Sequence, residues 1–431
     1  MNTSQSAAHH AESSQYLAMG VSSGMRTYVT SPPLFFERAD GPYYYDVDGN
    51  KLLDHTLAWG PLILGSNHPQ LNQAVIEALQ KSYTLGAQHP GEIALAKRMT
   101  EVIPGVEQVI FSNTGTEAIQ TTLRLARTQT GRSKYIKFEG HYHGWANNIL
   151  LSYHATDEEA GNIEAPNVVP SMGGQPASEY SDAIVLPWNR LDLLEQTFEK
   201  HGHEIAAVFT EPLLANSGSI EPQDGFLQGL VDLCKKHGAI SVFDEVITGF
   251  RLALGGAREF FGVIPDVSVY AKALAGGFTL SAVAGRKEFF DVIRDGSTIH
   301  AGTYNGNTIS LAAGKATLDI LAANPDNHNR MHLHGLQIRK TIEAEAKSKG
   351  LPLCTSGAGT VFNAHFGTET PPTHYREYAQ VDMDTYTRFR AHMLDNGVQL
   401  LPDGRWYVGL AHTPTELELA QDAIHKSFQL L

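Results

Sequence analysis

Apolar positions recur at helical spacing through Leu71–Lys81, Ile93–Val102, Thr116–Thr128, Leu191–His201 and Gly225–His237. Between these segments lie short apolar runs at Val109–Ser112, Tyr135–Phe138, Ala206–Thr210, Ile240–Asp244, Val267–Tyr270 and Ser281–Ala284. Short strands alternating with helices imply βαβ crossovers and a mainly parallel sheet, so an α/β fold is expected. Upstream, residues 41–54 (GPYYYDVDGNKLLD) read as a hairpin turning at Asp48-Gly49-Asn50. Beyond residue 310 helical patterns dominate, with short strands expected at Gly359–Ala364 and Trp406–Leu410. The expected organisation is a flexible tail (1–15), an N-terminal segment (16–69) and a large domain (70–315). Residues 316–431 then complete a small α+β domain built from both chain ends. The turn-rich stretch Tyr153–Asp182 is a candidate active-site lid, or else a plain mobile insertion.

Composition narrows the function. The chain has 431 residues, enough to bury a core without disulfide or metal staples. Lys plus Arg number 32 against 46 for Asp plus Glu, a formal net charge of -14. Without a cationic block to release counterions from a nucleic acid, no nucleic-acid partner is expected. No apolar run approaches the ~18–20 residues of a membrane span. The polar start of the chain lacks a signal-peptide layout, so a soluble cytoplasmic protein is expected. Cys234 and Cys354 are the only cysteines, which excludes a disulfide framework or a Cys-rich metal site.

Four segments hold residues suited to chemistry. Ser112-Asn113-Thr114-Gly115-Thr116-Glu117-Ala118 joins a strand to a helix, where exposed N–H groups and the helix dipole favour an anion. The same residues would also make an ordinary N-cap. Asp244-Glu245 follows the strand Ile240–Phe243, at the carboxyl-end crevice where ligands of open α/β sheets bind; it also suits a salt-bridged loop. Lys272 stands alone among small apolar residues, as a Schiff-base lysine with a desolvated amine would, or as a lysine snorkelling from a strand end. In Gly140-His141-Tyr142-His143-Gly144-Trp145 the paired histidines lack a third metal ligand at useful spacing, so no metal is expected; Tyr142 suits stacking on a planar ligand, or plain loop packing. An anion cradle, a ring stacker, a carboxylate and an amine together are what a phosphorylated pyridine aldehyde needs.

In these motifs the sequence resembles the class III aminotransferases, pyridoxal-phosphate enzymes of fold type I, and within them the glutamate-1-semialdehyde aminomutase branch. The likeness is carried by Tyr45-Asp46-Val47-Asp48-Gly49-Asn50, Trp59-Gly60-Pro61, Asn113–Ala118, His141–Gly144, Glu211-Pro212, Asp244–Arg251, Lys272 and Gly302–Asn307. The resemblance implies pyridoxal 5'-phosphate as cofactor, Lys272 as its Schiff-base lysine and Asp244 as the acid facing the pyridine nitrogen. It implies Gly115 and Thr116 for the phosphate, Tyr142 and Val246 for the two ring faces, and Asn216 near the phenolate oxygen. Thr303 resembles a phosphate contact donated by a neighbouring subunit, which implies a homodimer with shared sites.

Within the branch, Arg26 matches the position that binds the distal carboxylate of the substrate, where a rigid fork grips through two bonds; it would also suit a surface arginine near a mobile terminus. Two departures point away from the aminomutase. Its small-residue lid is replaced by Tyr153-His154-Ala155-Thr156-Asp157-Glu158-Glu159, and its C-terminal glutamate is absent from Pro402-Asp403-Gly404-Arg405-Trp406-Tyr407. Arg405 resembles the second arginine of β-amino-acid aminotransferases, which takes the α-carboxylate of an oxo acid. The expectation is an aminotransferase moving an amino group from a β-amino acid, aromatic ones included, to an α-oxo acid such as 2-oxoglutarate or pyruvate. An isomerase (mutase or racemase) and a non-catalytic cofactor-binding protein are the alternatives. Trp59, with Phe36, Tyr83 and Tyr304, either lines the substrate site or simply packs.

Overall fold

The computed structural model describes residues 1–28, 30 and 33–431 and divides into two compact units. One comprises Met1–Pro69, Asp326–Pro371 and Val381–Leu431; the other comprises Gln70–Pro325 and Pro372–Gln380. The sequence reading draws its second border after residue 315. The helix Thr308–Ala322 instead stays with the larger unit, packed on the helix Pro90–Val102 and the turn Lys272–Ala275. Residues 372–380 also belong to that unit, where Arg376 pairs with Glu139 at 2.8 Å.

In the smaller unit β1 (Phe36–Asp40), β2 (Tyr43–Asp46) and β3 (Lys51–Asp54) form an antiparallel meander. Its tight turn is held by the Asp46 carboxylate, which accepts the N–H groups of Asp48 (3.0 Å) and Asn50 (2.7 Å). The first fifteen residues depart from the expected tail: Ser4–Tyr16 is a helix. Its sequence has almost no apolar face, so periodicity gives no sign of it. Its first turn is capped from outside, because the Asp48 carboxylate accepts the N–H groups of Gln5 (2.7 Å) and Ser6 (2.8 Å).

The larger unit is built on β4 (Gln108–Ser112), β5 (Lys134–Phe138), β6 (Ala183–Leu186), β7 (Ile205–Thr210), β8 (Ile240–Asp244), β9 (Val267–Tyr270) and β10 (Ser281–Gly285). Their order is β4-β10-β9-β8-β7-β5-β6, with β10 antiparallel to both neighbours and the other pairs parallel. Alternate strand residues feed opposite cores: Phe209 and Val242 join the cluster around the helix Gly115–Thr130, while Val208 and Phe243 join the one around the helix Phe226–His237. Both faces are covered, which is why these strands read as continuous apolar runs. The candidate lid, 153–182, carries short helices at Asp157–Ala160 and Ala177–Tyr180. It is pinned by Gln175, whose amide donates to the carbonyls of Asn147 (2.8 Å) and Leu150 (2.9 Å).

The C-terminal segments add β11 (Leu353–Ala358), β12 (Val361–Phe366), β13 (Val398–Gln399) and β14 (Arg405–Tyr407). β11, β12 and β14 form an antiparallel sheet, and β13 pairs in parallel with β3. The strand expected at 359–364 straddles the β11–β12 turn. There Gly359 meets Gly335 of the helix Asn327–Ser348 so closely that a Cβ on Gly335 would lie 1.7 Å from the Gly359 carbonyl oxygen.

His55, His334 and His412 cluster beneath this sheet, with His55 and His412 stacked at 4.5 Å. His55 Nδ1 bonds the Tyr407 carbonyl at 3.0 Å, and its Nε2 has no hydrogen-bond partner among the described residues. Burial, with the neighbouring His334, pushes the His55 pKa down to about 3, and burial takes His334 down to about 4, against an ordinary 6.5. Both are neutral in the folded chain and protonate in the unfolded one, so stability is present above pH 6.5 and drains away as pH falls towards these lower values. The unfolding free energy should therefore fall through this acid range by up to about 1.4 kcal/mol per pH unit per histidine, and the melting temperature with it. Thermal unfolding across that range checks it; a flat profile would contradict buried neutral imidazoles.

Candidate active site

The carboxyl end of the large sheet gathers most of the expected residues of the larger unit. Thr114 caps the helix Gly115–Thr130 in a reciprocal box: its hydroxyl accepts the Glu117 N–H at 3.2 Å, and Glu117 accepts the N–H groups of Thr114 (2.9 Å) and Asn113 (2.8 Å). The ordinary N-cap and the anion-type turn are thus both present. Glu117 consumes two donors, and helix geometry leaves those of Gly115 and Thr116 without an intrahelical acceptor.

The loop after β5 comes up against this turn. Gly144, at φ +97, approaches so closely that a Cβ there would lie 2.5 Å from Thr116 Oγ1. A Cβ on Gly115 would meet Val246 at 3.1 Å and the Ala271 side chain at 4.0 Å. Gly115 therefore neighbours Val246 and the residue preceding Lys272, and Gly144 neighbours Thr116. Lys272 is half-buried and opens the turn Lys272–Ala275 with φ at +44, a conformation a lysine adopts only where its surroundings enforce it.

Asp244 ends β8 and is 4% exposed. One carboxylate oxygen accepts the Val246 N–H at 3.0 Å; the other lies 2.7 Å from His143 Nδ1. Burial lowers the His143 pKa, with the Asp244 contact working the other way; Nδ1 is the donor, since a carboxylate oxygen accepts. His141 accepts the Glu211 N–H at its Nδ1 (3.0 Å), so each histidine is held in place by a bond at Nδ1. Glu211 accepts the N–H groups of Tyr142 (2.9 Å) and Asn216 (3.2 Å), tying the expected ring stacker to the expected phenolate contact. Burial and the charge of Asp244 push the Glu211 pKa up to about 7. The Tyr142 ring lies 5.1 Å from Tyr153, where the 153–182 loop begins.

Thr303 is exposed in its turn, and that turn is tied back to the N-cap region because Asn113 Nδ2 donates to Asn305 Oδ1 at 3.0 Å. In the smaller unit, Arg405 is buried and lies 5.8 Å from the half-buried Trp59 ring. Arg26 is exposed on the turn Gly24–Tyr28. Phe36 packs on Tyr44 at 5.1 Å, while Tyr83 and Tyr304 lie largely in solvent.

A buried acid at a strand end, a helix N-terminus whose first N–H groups lack intrahelical acceptors, an aromatic loop and a lysine on a strained turn fit pyridoxal phosphate. The class III aminotransferase family model matches residues 25–426. The chain belongs to the class III aminotransferases. Members of this family are pyridoxal-phosphate enzymes, and the mainly parallel sheet is that of fold type I. This aminotransferase is 35% identical over 433 residues to the glutamate-1-semialdehyde 2,1-aminomutase 2 of Brevibacillus brevis, covering 100% of this chain and 99% of that protein. An omega-transaminase from Sphaerobacter thermophilus aligns with a TM-score of 0.94 at 29% identity, covering 100% of this chain and 99% of the other. A beta-phenylalanine aminotransferase from Variovorax paradoxus aligns at 0.87 and 30% identity, covering 98% and 93%.

Sequence reasoning gave no role to His143, Glu211 or Lys137, although the first two lie inside quoted motifs. Lys137 left one signal, a lysine inside the apolar run Tyr135–Phe138. It is fully buried in β5, and its ammonium donates to the carbonyls of Leu151 and His141, the latter at 3.1 Å. These bonds close the segment that carries Tyr142 and His143. Burial pulls its pKa down to about 7 against the opposing pull of Glu211 and Glu139. Lys137→Met leaves two buried carbonyls without this donor, a loss of roughly 1–3 kcal/mol for each group left unsatisfied, partly offset because no ammonium is buried. Urea unfolding should show a net loss; a more stable variant would mean that the buried charge outweighs its bonds.

Proposed function

We propose that this aminotransferase takes the amino group of a β-amino acid, aromatic ones included, and passes it to an α-oxo acid such as 2-oxoglutarate or pyruvate. The observation carrying this reading is Arg405, a buried guanidinium flanked by the rings of Trp59 at 5.8 Å and Tyr407 at 5.5 Å. It stands in the stretch where the aminomutase pattern has a glutamate. A charged fork there suits the α-carboxylate of an oxo acid, leaving Arg26 for the carboxylate of the β-amino acid. Trp59 then borders the substrate.

When bound, pyridoxal phosphate supplies a carbonyl for an amine to add to and a ring that takes up the electron pair left by a departing proton. Gly115 and Thr116 would offer N–H donors to its phosphate, and Asn216 would serve its phenolate. Tyr142 and Val246 bound its two faces. Asp244, oriented by the Val246 N–H and by His143, holds a proton at the ring nitrogen. Lys272 would hold the cofactor through its aldehyde and, with its amine free, would take the proton from the amine-bearing carbon of the substrate. We place Thr303 at the phosphate of a second copy, making a homodimer. Support comes from its exposed turn and from the exposed apolar side chains Ile76, Leu79, Leu85 and Ile93 on the same unit. No helix among the described residues is long and apolar enough to cross a membrane; a cytoplasmic location is part of this proposal.

The second reading, a glutamate-1-semialdehyde mutase, is favoured by the 35% identity to such an enzyme over the whole chain. The two separate when cofactor-loaded protein is given one substrate and no oxo acid. Release of a stoichiometric β-oxo acid from β-phenylalanine supports the transaminase; 5-aminolevulinate formed from glutamate-1-semialdehyde alone supports the mutase.

Lys272→Ala should lose ~10²–10⁴ in turnover, measured as oxo-acid formation at saturating substrate. Arg26→Ala should slow the β-amino-acid half-reaction far more than the oxo-acid half-reaction in single-turnover assays. Equal losses in both would contradict the role given to Arg26.

A further inference from the structure

Arg405 is 1% exposed, and a guanidinium keeps its charge at any accessible pH. Such a group needs a counter-charge in every state the protein visits, because an unpaired buried ion is among the most costly arrangements in a protein. Asp403 supplies one. Its Oδ2 accepts from Arg405 Nη2 at 2.7 Å, and its Oδ1 accepts the Arg405 backbone N–H at 3.2 Å. The aspartate is itself held, since Asn363 Nδ2 donates to its carbonyl at 2.7 Å. Its carboxylate is 22% exposed, against 1% for the guanidinium it faces.

A transaminase passes two different molecules through one pocket. With Arg405 gripping the α-carboxylate of the oxo acid, the β-amino acid brings an uncharged side chain to the same place, because its own carboxylate goes to Arg26. One arginine thus meets an anion in one half-reaction and a neutral group in the other. We propose that Asp403 is the internal counterion that makes this alternation possible, and so a specificity-determining positioning residue. It neutralises Arg405 while an uncharged side chain is bound and shares the fork when a substrate carboxylate arrives. Two carboxylates on one guanidinium repel each other, so Asp403 weakens the hold on the oxo acid and in return lets the neutral side chain bind. The inference rests on the transaminase reading of Arg405.

The test is Asp403→Asn in the cofactor-loaded enzyme, with glutarate as a non-reacting dicarboxylate probe. The amide keeps an acceptor oxygen and removes the charge. Glutarate measured by calorimetry should bind roughly tenfold more tightly. The KM for 2-oxoglutarate should fall while that for β-phenylalanine rises. A purely structural role would move both KM values the same way, and that result, or unchanged glutarate affinity, overturns the proposal. Asp403→Ser makes the same prediction should the amide variant not fold, and Asp403→Glu, which keeps the charge, should retain the parent ratio of KM values. Arg405→Gln separates the two levels of the argument. If it leaves glutarate affinity and the oxo-acid KM unchanged, the reading of Arg405 fails; if it abolishes both while Asp403→Asn shows no reciprocal shift, that reading stands and Asp403 is only structural.

Discussion

A carboxylate buried at the end of a central strand is stable only where the surrounding backbone and side chains are fixed to receive it. Asp244 is received by the Val246 N–H behind it and by His143 beside it. The histidine comes from a different crossover, so the bond requires the loop after β5 to fold back over the end of β8. That loop is closed from below by Lys137 and steered from the side by Glu211. The same loop carries Tyr142, and Gly144 brings it against Thr116. The placement of each element around the acid therefore follows from satisfying one buried charge.

The neighbourhood is electrostatically tight. Glu211 and Asp244 repel each other, and this repulsion with burial keeps the Glu211 pKa near 7. Lys137 is pulled the other way by burial and also lies near neutrality. Two groups of opposite type thus have pKa values near 7 beside the buried Asp244. Small changes in packing there shift proton occupancy rather than break bonds, since one pKa unit corresponds to about 1.4 kcal/mol.

Much of the large unit was legible in the sequence because parallel strands covered on both faces write themselves as apolar runs. Ile240–Asp244 and Val267–Tyr270 appear at the expected positions, as does the helix Leu191–His201. β6 was missed because its four residues directly follow a turn-rich stretch. The Ser4–Tyr16 helix was missed because an aspartate distant in sequence caps it. The strand expected at 359–364 took in a turn, since apolar content continues through Gly359–Val361. At the site, single motifs suggested residue types, while the roles of His143, Glu211 and Lys137 depend on partners far away in the chain. No local pattern encodes such a pairing. Arg405 was visible as a charge near the C-terminus, but its pairing with Asp403 became visible only in the structure.

The antiparallel strand β10 has a bearing on biosynthesis. It lies between β4 and β9 and starts at Ser281, opposite Ser112 on one side and beside Tyr270 through Ala282 on the other. Until it inserts, nothing in the sheet joins the strand that leads into the phosphate-type turn to the strand that leads into the lysine turn. A nascent chain still lacking residues 281–285 can pair β5, β6, β7, β8 and β9 in their final order as a partial sheet. Until β10 inserts, the partial sheet keeps an open edge at β9, and β4, which pairs in the sheet with β10, waits outside it. Those two strands are the places where a chaperone would have most to protect.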